Sequence, residues 1–271
     1  KLIVKIKKIN QLNYFIECIL ISNPKVIITA IDTNPNFYRL KKLFTNKIFI
    51  SIQNGLRNDP MFKKNYKNLI CDTIFCNGKS DINFFKSRVK SKIIPIGLIK
   101  NNSVNDKIKL IKNCVSYISV YRDIKSDKKK INFLGKFDNI SWEEYIKSEK
   151  LLIKSLHHYC YKKKIKFYII GCNYNHLKEK KWYQNVIGNK KVNLIRRSSS
   201  TSSYEFLKKT KYIVSMDSTL GLEFLSRGHK IIFFSRTVDK SKKLSKKLYF
   251  GAPFIKENKG FFFSNDINEI Y

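Results

Sequence analysis

The segment with the clearest chemical pattern is residues 211–236, KYIVSMDSTLGLEFLSRGHKIIFFSR. A β-branched run ends at Met216, and Asp217, Ser218 and Thr219 form a turn before a helical stretch. A helix that begins here presents free backbone N–H groups and the positive end of its dipole. The two hydroxyl groups add further donors, so the pattern predicts a phosphate or diphosphate site.

Glu223 follows Thr219 by four residues, which predicts that both lie on one face of that helix. Its carboxylate could accept hydrogen bonds from ribose hydroxyls, as the acidic residue of dinucleotide-binding folds does. A second interpretation stays open at this point. In it, Ser218 and Thr219 only cap the helix and Glu223 is solvated.

The chain has 271 residues and a net charge of +35, from 55 Lys and Arg against 20 Asp and Glu. Such charge is typical of proteins that bind nucleic acids or anionic membranes. Only eight of the cations are Arg, the residue preferred for reading bases and phosphates, which argues against nucleic acid. Codon bias toward Lys, Asn and Ile, or attraction to a membrane surface, explains the charge better.

The six cysteines form no CxxC pair, and the four histidines form no HExxH motif. Several of the cysteines lie in apolar runs, which predicts buried free thiols in a reducing compartment rather than disulfides or a zinc site. No apolar run is long enough to span a membrane, and the first residues do not resemble a signal peptide. We therefore expect a cytoplasmic protein without a metal or cofactor.

Short apolar runs alternate with helical periods along the chain, which is typical of parallel sheets with crossover helices. The predicted strands cover 25–31, 47–53, 72–76, 92–97, 114–120, 166–171, 192–197, 211–216 and 229–234. The predicted helices cover 10–22, 34–44, 79–87, 141–164, 176–186, 203–210 and 218–227. This pattern predicts an α/β protein with two Rossmann-like domains that face a cleft.

A polar stretch, 98–112, lacks a strong period, so we expect the domains to span 1–105 and 106–271. The first domain offers about four strands, fewer than a complete Rossmann-like domain has. We expect this domain to be incomplete, and the chain to be a piece of a longer protein.

The string DSTLGLEFLSRGHKIIFF resembles the donor-nucleotide motif of glycosyltransferase-B proteins and nucleotide-sugar 2-epimerases. Other strings resemble the bacterial surface carbohydrate (lipopolysaccharide and capsule) biosynthesis proteins in order and approximate spacing. They are IDTNPNFYRLKKLF, FISIQNGLR, CDTIFCNGKSDINFF, IIPIG, YFGAPF and KGFFFSN, and together they cover roughly residues 10–265. The shortened first domain departs from that pattern.

The resemblance implies that the second domain binds a nucleotide-sugar donor, with Ser218, Thr219 and Glu223 as donor-binding residues beside Asp217. Gly171 ends a predicted strand and would let the donor approach the backbone. Arg122 follows another strand, where a cation could meet the diphosphate leaving group. An ordinary turn glycine and a solvated loop arginine remain the alternatives at these two positions.

In the first domain, Asp32 ends a predicted strand and is a candidate general base for an acceptor hydroxyl. It could instead cap the following helix, as could Thr33. Gln53 and Asn54 end the next strand and could bind sugar hydroxyls or form a tight turn. Arg57 could hold an acidic sugar or a phosphate. The resemblance also implies that metal is not required, because helix dipoles and cations can stabilise the leaving group.

The resemblance thus implies transfer of a sugar from a nucleotide donor to a lipid-linked or oligosaccharide acceptor at the inner membrane. Two alternatives remain. One is a nucleotide-sugar epimerase or a polyol-phosphate transferase with the same nucleotide motif, and the other is a non-catalytic, truncated relative.

Overall fold

The computed structural model describes residues 10–55, 57, 68–99, 111–121, 142–172, 176–199, 201–216, 218–234 and 261–264. The chain divides into two compact units, residues 1–99 and 100–271. The boundary that the sequence predicts, between 105 and 106, lies outside the described residues. In the described ranges, each unit contains one parallel sheet.

Within the described residues, the sheet of the first unit has four parallel strands in the order β1-β2-β3-β4. These strands are β1 (Val26–Thr29), β2 (Ile48–Ile52), β3 (Leu69–Cys76) and β4 (Val89–Pro95). The helices are α1 (Gln11–Ser22), α2 (Pro35–Leu43) and α3 (Lys79–Lys86). The predicted elements of this unit are therefore confirmed, although β3 and β4 each begin three residues earlier than expected.

One face of this sheet carries the core of the first unit. Phe49, Ile74 and Cys76 lie on that face and pack with apolar side chains of the three helices, among them Phe37 and Phe85. On the opposite face of the sheet, the β1 and β2 side chains Val26, Ile28 and Ile48 are 43%, 60% and 49% exposed.

In the part of the chain that the structure describes, the sheet of the second unit has six parallel strands in the order β10-β9-β8-β5-β6-β7. The strands are β5 (Ile111–Ile118), β6 (Lys166–Ile170), β7 (Leu194–Ile195), β8 (Thr210–Ser215), β9 (Lys230–Phe234) and β10 (Phe261–Ser264). The helices are α4 (Trp142–Lys162), α5 (His176–Val186), α6 (Ser202–Leu207) and α7 (Thr219–Leu225). When the strands are renumbered from the first strand of this unit, the order is 6-5-4-1-2-3. Read from the other edge of the sheet, it is 3-2-1-4-5-6, the strand order of the Rossmann fold.

Helices cover both faces of the second sheet, as expected for a doubly wound fold. Tyr117 and Ile169 face a cluster that contains apolar residues of α4 and α5. Ile118 and Ile213 face the other side, against α6 and α7. The expected α/β fold with parallel sheets is therefore confirmed. β10 lies in a segment for which the apolar pattern predicted no strand.

All six cysteines are described, and all are free thiols, as the sequence predicts. Cys71, Cys76, Cys114 and Cys160 are buried, and Cys18 is exposed. Among the described residues, no helix combines the length and apolar character needed to cross a membrane.

Candidate functional site

The second unit has a topological switch point between β5 and β8. From β5 the chain continues to β6 on one side, and β8 pairs with β5 on its other side. In open α/β sheets, ligands bind at the carboxyl ends of the strands that flank such a point. Three of the predicted donor residues, Ser218, Thr219 and Glu223, follow the carboxyl end of β8.

Ser218 is the N-cap of α7, and its Oγ accepts a hydrogen bond of 3.3 Å from the backbone N–H of Leu220. The Ser218 N–H donates to Oγ of Ser215, at 3.2 Å, which ties the cap to the end of β8. The capping role is therefore present. It leaves the hydroxyl hydrogen of Ser218 able to donate outward, because the cap uses the oxygen as an acceptor.

Glu223 lies on α7 and is 5% exposed, so the solvated interpretation of this residue is wrong. Its Oε2 accepts a short hydrogen bond from the hydroxyl of Tyr204 on α6. Burial, and then the bond to Glu223, raise the pKa of Tyr204 well above its ordinary value. The phenol therefore remains protonated and fixes the orientation of the carboxylate.

Gly221 was not identified by sequence reasoning, yet it sets how closely α7 approaches the sheet. A Cβ at this position would lie 3.0 Å from both the Phe233 ring and Cβ of Ser215. In dinucleotide folds a glycine at the start of the helix has the same function of close helix–strand packing. The string STLG, with the glycine three residues after the cap, is the signal that could have revealed it.

Gly171 follows β6 at the same edge of the sheet. A Cβ here would lie 3.1 Å from the carbonyl oxygen of Ile195 and 3.2 Å from a carboxylate oxygen of Glu179. The close approach that the glycine permits is therefore to Glu179 and β7. Arg197, just beyond β7, donates to the carbonyl oxygen of Cys172 at 3.3 Å and so also reaches this edge.

A buried polar network beneath this edge was also missed from the sequence. It joins Glu149 of α4, Glu179 and Tyr183 of α5, and Tyr117 and Ser119 at the end of β5. Its residues come from separate elements, and no local sequence motif brings them together.

In the first unit, Asp32 follows β1 and is completely buried. Its carboxylate accepts a hydrogen bond of 2.5 Å from Nε of Arg57, a second from a terminal nitrogen of Arg57, and a contact of 3.4 Å from the Asn54 N–H. The Arg57 side chain is 6% exposed and also donates to Oδ1 of Asn54, at 2.7 Å. The cap of α2 is Asn34, so the capping interpretation of Asp32 and Thr33 is wrong.

Gln53 links the carboxyl ends of β2 and β3. Its amide nitrogen donates to the carbonyl oxygen of Gly55 at 2.8 Å, and its amide oxygen accepts from the Asn77 N–H at 2.9 Å. Asp81, in the first turn of α3, has a raised pKa because of burial, while the Gln53 amide and Arg57 act in the opposite direction. Asp32, Gln53, Asn54 and Arg57 thus lie at one edge of the first sheet, and the structure adds Asp81.

Arg122 and Asp217 lie outside the described residues. Within the described part of the chain, no group of three or more His, Cys, Asp or Glu side chains could hold a metal ion.

A family profile described as "putative O-antigen biosynthesis protein" matches residues 50–270 of the chain. No curated protein matches the sequence.

Solved structures similar to the chain include three bacterial proteins. A glycosyltransferase from Rickettsia africae ESF-5 is 14% identical, with a TM-score of 0.48, over 96% of this chain and 68% of that one. A "putative UDP-N-acetylglucosamine 2-epimerase" from Listeria monocytogenes is 13% identical, with a TM-score of 0.52, over 82% of this chain. The S. aureus MnaA structure with UDP is 13% identical, with a TM-score of 0.53, also over 82%. This chain spans 60% of the length of each of the last two, and the similarity shows a shared fold.

Proposed function

Because the chain belongs to the family described as "putative O-antigen biosynthesis protein", we propose that it is a glycosyltransferase-like enzyme of surface polysaccharide assembly. It binds a nucleotide-sugar donor at the β5–β8 switch point of the second unit. It transfers the sugar to a hydroxyl group of a lipid-linked or oligosaccharide acceptor, which the strand ends of the first unit bind. The first unit supplies the base, and the second stabilises the diphosphate leaving group.

The observation that carries this proposal is the arrangement at the start of α7. Ser218 and Thr219 begin the helix directly beyond the switch-point strand β8, where a Rossmann-type sheet binds nucleotides. Gly221 lets this helix start lie close to β8 and β9. The hydroxyl groups of Ser218 and Thr219 and the N–H of Thr219 then contact the diphosphate, and charge on the leaving group is stabilised by these donors.

Glu223 supports the proposal through its burial. A carboxylate that is 5% exposed and held by the Tyr204 hydroxyl is fixed before any ligand arrives. A fixed acceptor suits the two hydroxyl groups of a ribose, because the cost of ordering the side chain has already been met. Arg197, at the carboxyl edge beside Cys172, is a second candidate for a phosphate contact.

Asp32 remains the proposed general base, with Arg57 as a partner that the acceptor displaces. In the structure described here, Arg57 engages both carboxylate oxygens of Asp32. An anionic group on the acceptor, such as an acidic sugar or a phosphate, would draw the guanidinium toward itself. The Asp32 carboxylate would then be available to accept the proton of the attacking hydroxyl.

A nucleotide-sugar epimerase is the second candidate, and one observation favours it. Epimerisation needs an acid and a base, and Asp81 and Asp32 lie close enough that the charge of Asp32 contributes to the raised pKa of Asp81. Burial is the larger cause of that shift. A carboxyl group with a raised pKa, close to a carboxyl group that is paired with Arg57, could serve as the acid of such a pair.

NMR distinguishes the two functions. Nucleotide sugars that carry UDP, GDP or dTDP are incubated with the protein in D2O, and the products are identified. Transfer breaks the bond between the sugar and the diphosphate and leaves every C–H bond intact, so it releases nucleoside diphosphate without deuterium in the sugar. Epimerisation breaks a C–H bond, so deuterium enters the sugar ring. Acceptor glycans are added in a parallel series, and the Ser218→Ala/Thr219→Ala variant is compared with Ser226→Ala at the other end of α7. If no donor yields either free nucleoside diphosphate or a deuterated sugar, the result counts against both functions.

A further inference from the structure

The second unit contains a groove that has no part in the proposed sugar transfer. It is lined mainly by α4 and by residues 187–193, the loop between α5 and β7. Lys166 begins β6, Asn193 directly precedes β7, and both also line the groove. Because β6 and β7 are parallel, the groove lies at the amino-terminal edge of the sheet, opposite to the edge of the proposed nucleotide site.

One face of α4 forms one side of the groove, through residues that follow the spacing i, i+3, i+4 and i+7. They are Lys154, His157, His158 and Tyr161. On the other side, Gly188 and Asn189 take left-handed φ angles of 74° and 59° just beyond α5, which turns the loop back. Lys190 then reaches across, so that its Nζ lies 5.7 Å from the centroid of the Tyr161 ring.

The charged side chains of this lining are all basic. They are Lys154, Lys166, Lys190 and Lys191, and two of the four histidines of the chain, His157 and His158, lie beside them. The segments that line the groove, residues 150–166 and 180–193, contain no Asp or Glu. Within the described residues, no ion pair joins these lysines to a carboxylate. A concave site of one charge sign attracts ions of the other sign, here anions.

Two ordinary explanations for basic residues do not account for this arrangement. Cations complement the dipole at the end of a helix, but that effect is confined to the last turn, where α4 has Lys162. A lysine-rich composition places cations apart in water, whereas here they act on a half-buried ring. Burial, and then Lys190 and His158, lower the pKa of His157.

An anion in the groove would reverse the effect on His157. It would offset the charge of Lys190 and favour the imidazolium form, so that His157 takes up a proton and becomes a further donor. A phosphate group has three strong acceptor oxygens. It can therefore accept at once from Lys154, His157 and Lys190, the three cationic positions that line the same cavity.

The groove also has an apolar part. It consists of two cavities of about 160 and 300 Å³, which share His157, Tyr161 and Ile187 in their linings. Apolar side chains surround much of the smaller one, namely Ile165, Phe167, Ile169, Ile187 and Val192. We propose that the groove binds an organic phosphate, with Lys154, His157 and Lys190 as donors to the phosphate and the organic group in the smaller cavity. Soluble phosphate esters and phospholipid headgroups share this chemistry, and the experiment below distinguishes them.

Histidine NMR tests the phosphate contacts directly, because the chain has four histidines and two of them, His176 and His229, do not line the groove. Sulfate is the probe, because it stays a dianion over the range in which histidine titrates, about pH 5.5–8. At constant ionic strength, sulfate should raise the pKa of His157 and leave the signals of His176 and His229 unchanged.

The pH dependence of binding follows from that shift. Sulfate affinity should increase as the pH falls from 8 through the pKa of His157 in the complex, about tenfold for each unit by which sulfate raises that pKa. The other titratable groups of the lining on α4 are Lys154, His158, Cys160 and Tyr161. Those on the neighbouring elements are Lys166, Lys190 and Lys191. His158 is the second imidazole, so the titration is repeated in His158→Gln, whereas His157→Gln should lose most of the pH dependence.

Lys154→Gln and Lys190→Gln each remove one cation, so each should weaken binding of sulfate and inorganic phosphate roughly two- to fivefold. Lys180→Gln is the matched control, because Lys180 is exposed in the first half of α5 and does not line the groove. It should bind both anions as the wild type does. Equal losses in Lys180→Gln and Lys190→Gln, or a sulfate titration that shifts all four histidines alike, would show only the effect of net charge and would overturn the proposal.

Two organic probes identify the source of the phosphate. A hexose 1-phosphate that binds more tightly than inorganic phosphate, and depends on Lys154 and Lys190, indicates a soluble ester. Phosphatidylcholine vesicles with phosphatidic acid test a lipid headgroup at about 0.15 M salt. Binding that Lys180→Gln retains and Lys154→Gln/Lys190→Gln loses indicates the lipid. If neither probe depends on these two lysines, the proposal is wrong.

The proposal does not rest on the proposed function. If the wild type binds no UDP, the proposed function fails, whereas the sulfate titration of His157 still decides whether the groove binds anions. UDP binding that requires Lys190 but not Ser218 and Thr219 would support the groove and contradict the nucleotide site at α7.

Discussion

Arg57 donates to both carboxylate oxygens of Asp32, a residue 25 positions earlier in the chain. Both side chains are nearly inaccessible, at 6% and 0% exposure. A buried ion pair of this kind contributes little net stability, but the loss of one partner leaves an uncompensated charge. The pair therefore makes the candidate acceptor site of the first unit sensitive to single substitutions.

Arg57→Ala should lower the unfolding free energy of the first unit by about 3–5 kcal/mol, because it leaves the buried Asp32 carboxylate without its cation. The double variant Asp32→Asn/Arg57→Gln, which removes both charges, should cost clearly less. Hydrogen exchange of the β2 and β3 amides measures both effects, since this unit contains no tryptophan. A double variant less stable than Arg57→Ala would show that the charge is not the cause.

Asp32→Asn should lower the kcat of sugar transfer by roughly 10²–10⁴-fold if Asp32 is the base, with donor affinity almost unchanged. The reason is that an amide cannot remove the proton from the hydroxyl group of the acceptor sugar. Kinetics with a fixed donor and varied acceptor measure this. A change confined to the KM for the acceptor would instead assign Asp32 to the positioning of Arg57.

Gly221→Ala should weaken nucleotide binding and lower stability by about 1–3 kcal/mol, because the added Cβ would lie 3.0 Å from the Phe233 ring and from Ser215. Gly228→Ala is the matched control. Gly228 has a positive φ of 81° and no atom within 4 Å of an added Cβ, so alanine there should cost about 1 kcal/mol of stability and leave binding intact. Equal loss of nucleotide affinity in both variants would contradict the packing argument.

Alkylation of the thiols should depend on burial and pH. At pH 8 a maleimide should label the exposed Cys18 first. Burial raises the pKa of Cys71 and of Cys160 to about 11, so these thiols stay protonated and unreactive until the pH is far higher or the protein unfolds. Mass spectrometry of digested protein follows each site. Rapid labelling of Cys160 at pH 8 in folded protein would contradict the described core.

The sequence predicts most elements well, because buried parallel strands are apolar runs and the helices between them keep a clear period. Contacts between residues that are far apart in the sequence could not be predicted in this way. The pairing of Asp32 with Arg57, and of Tyr204 with Glu223, depends on how the helices lie on the sheet, which no local pattern specifies. For the same reason the Glu149–Glu179 network could not be predicted, since α4, α5 and β5 all contribute to it.

If the net charge of +35 helps the protein to reach a lipid-linked acceptor, the protein should be attracted to an anionic membrane surface. Vesicles with anionic lipids should then bind the protein, binding should fall steeply as salt rises from 0.01 to about 0.15 M, and neutral vesicles should not bind. Sedimentation with vesicles measures this. Binding that is equal for neutral and anionic vesicles would contradict an electrostatic attachment to the membrane.

The measurement that tests the central claim most directly is calorimetric titration of the protein with UDP and GDP, for the wild type and for Ser218→Ala/Thr219→Ala. The proposal predicts that the wild type binds at least one of these nucleotides. The double variant should bind it more weakly by about 1–3 kcal/mol, the value of hydrogen bonds to a charged group. Ser226→Ala, at the C-cap of α7, should bind as the wild type does. Equal affinity in the wild type and the double variant, or no binding by the wild type, would contradict a nucleotide site at the start of α7.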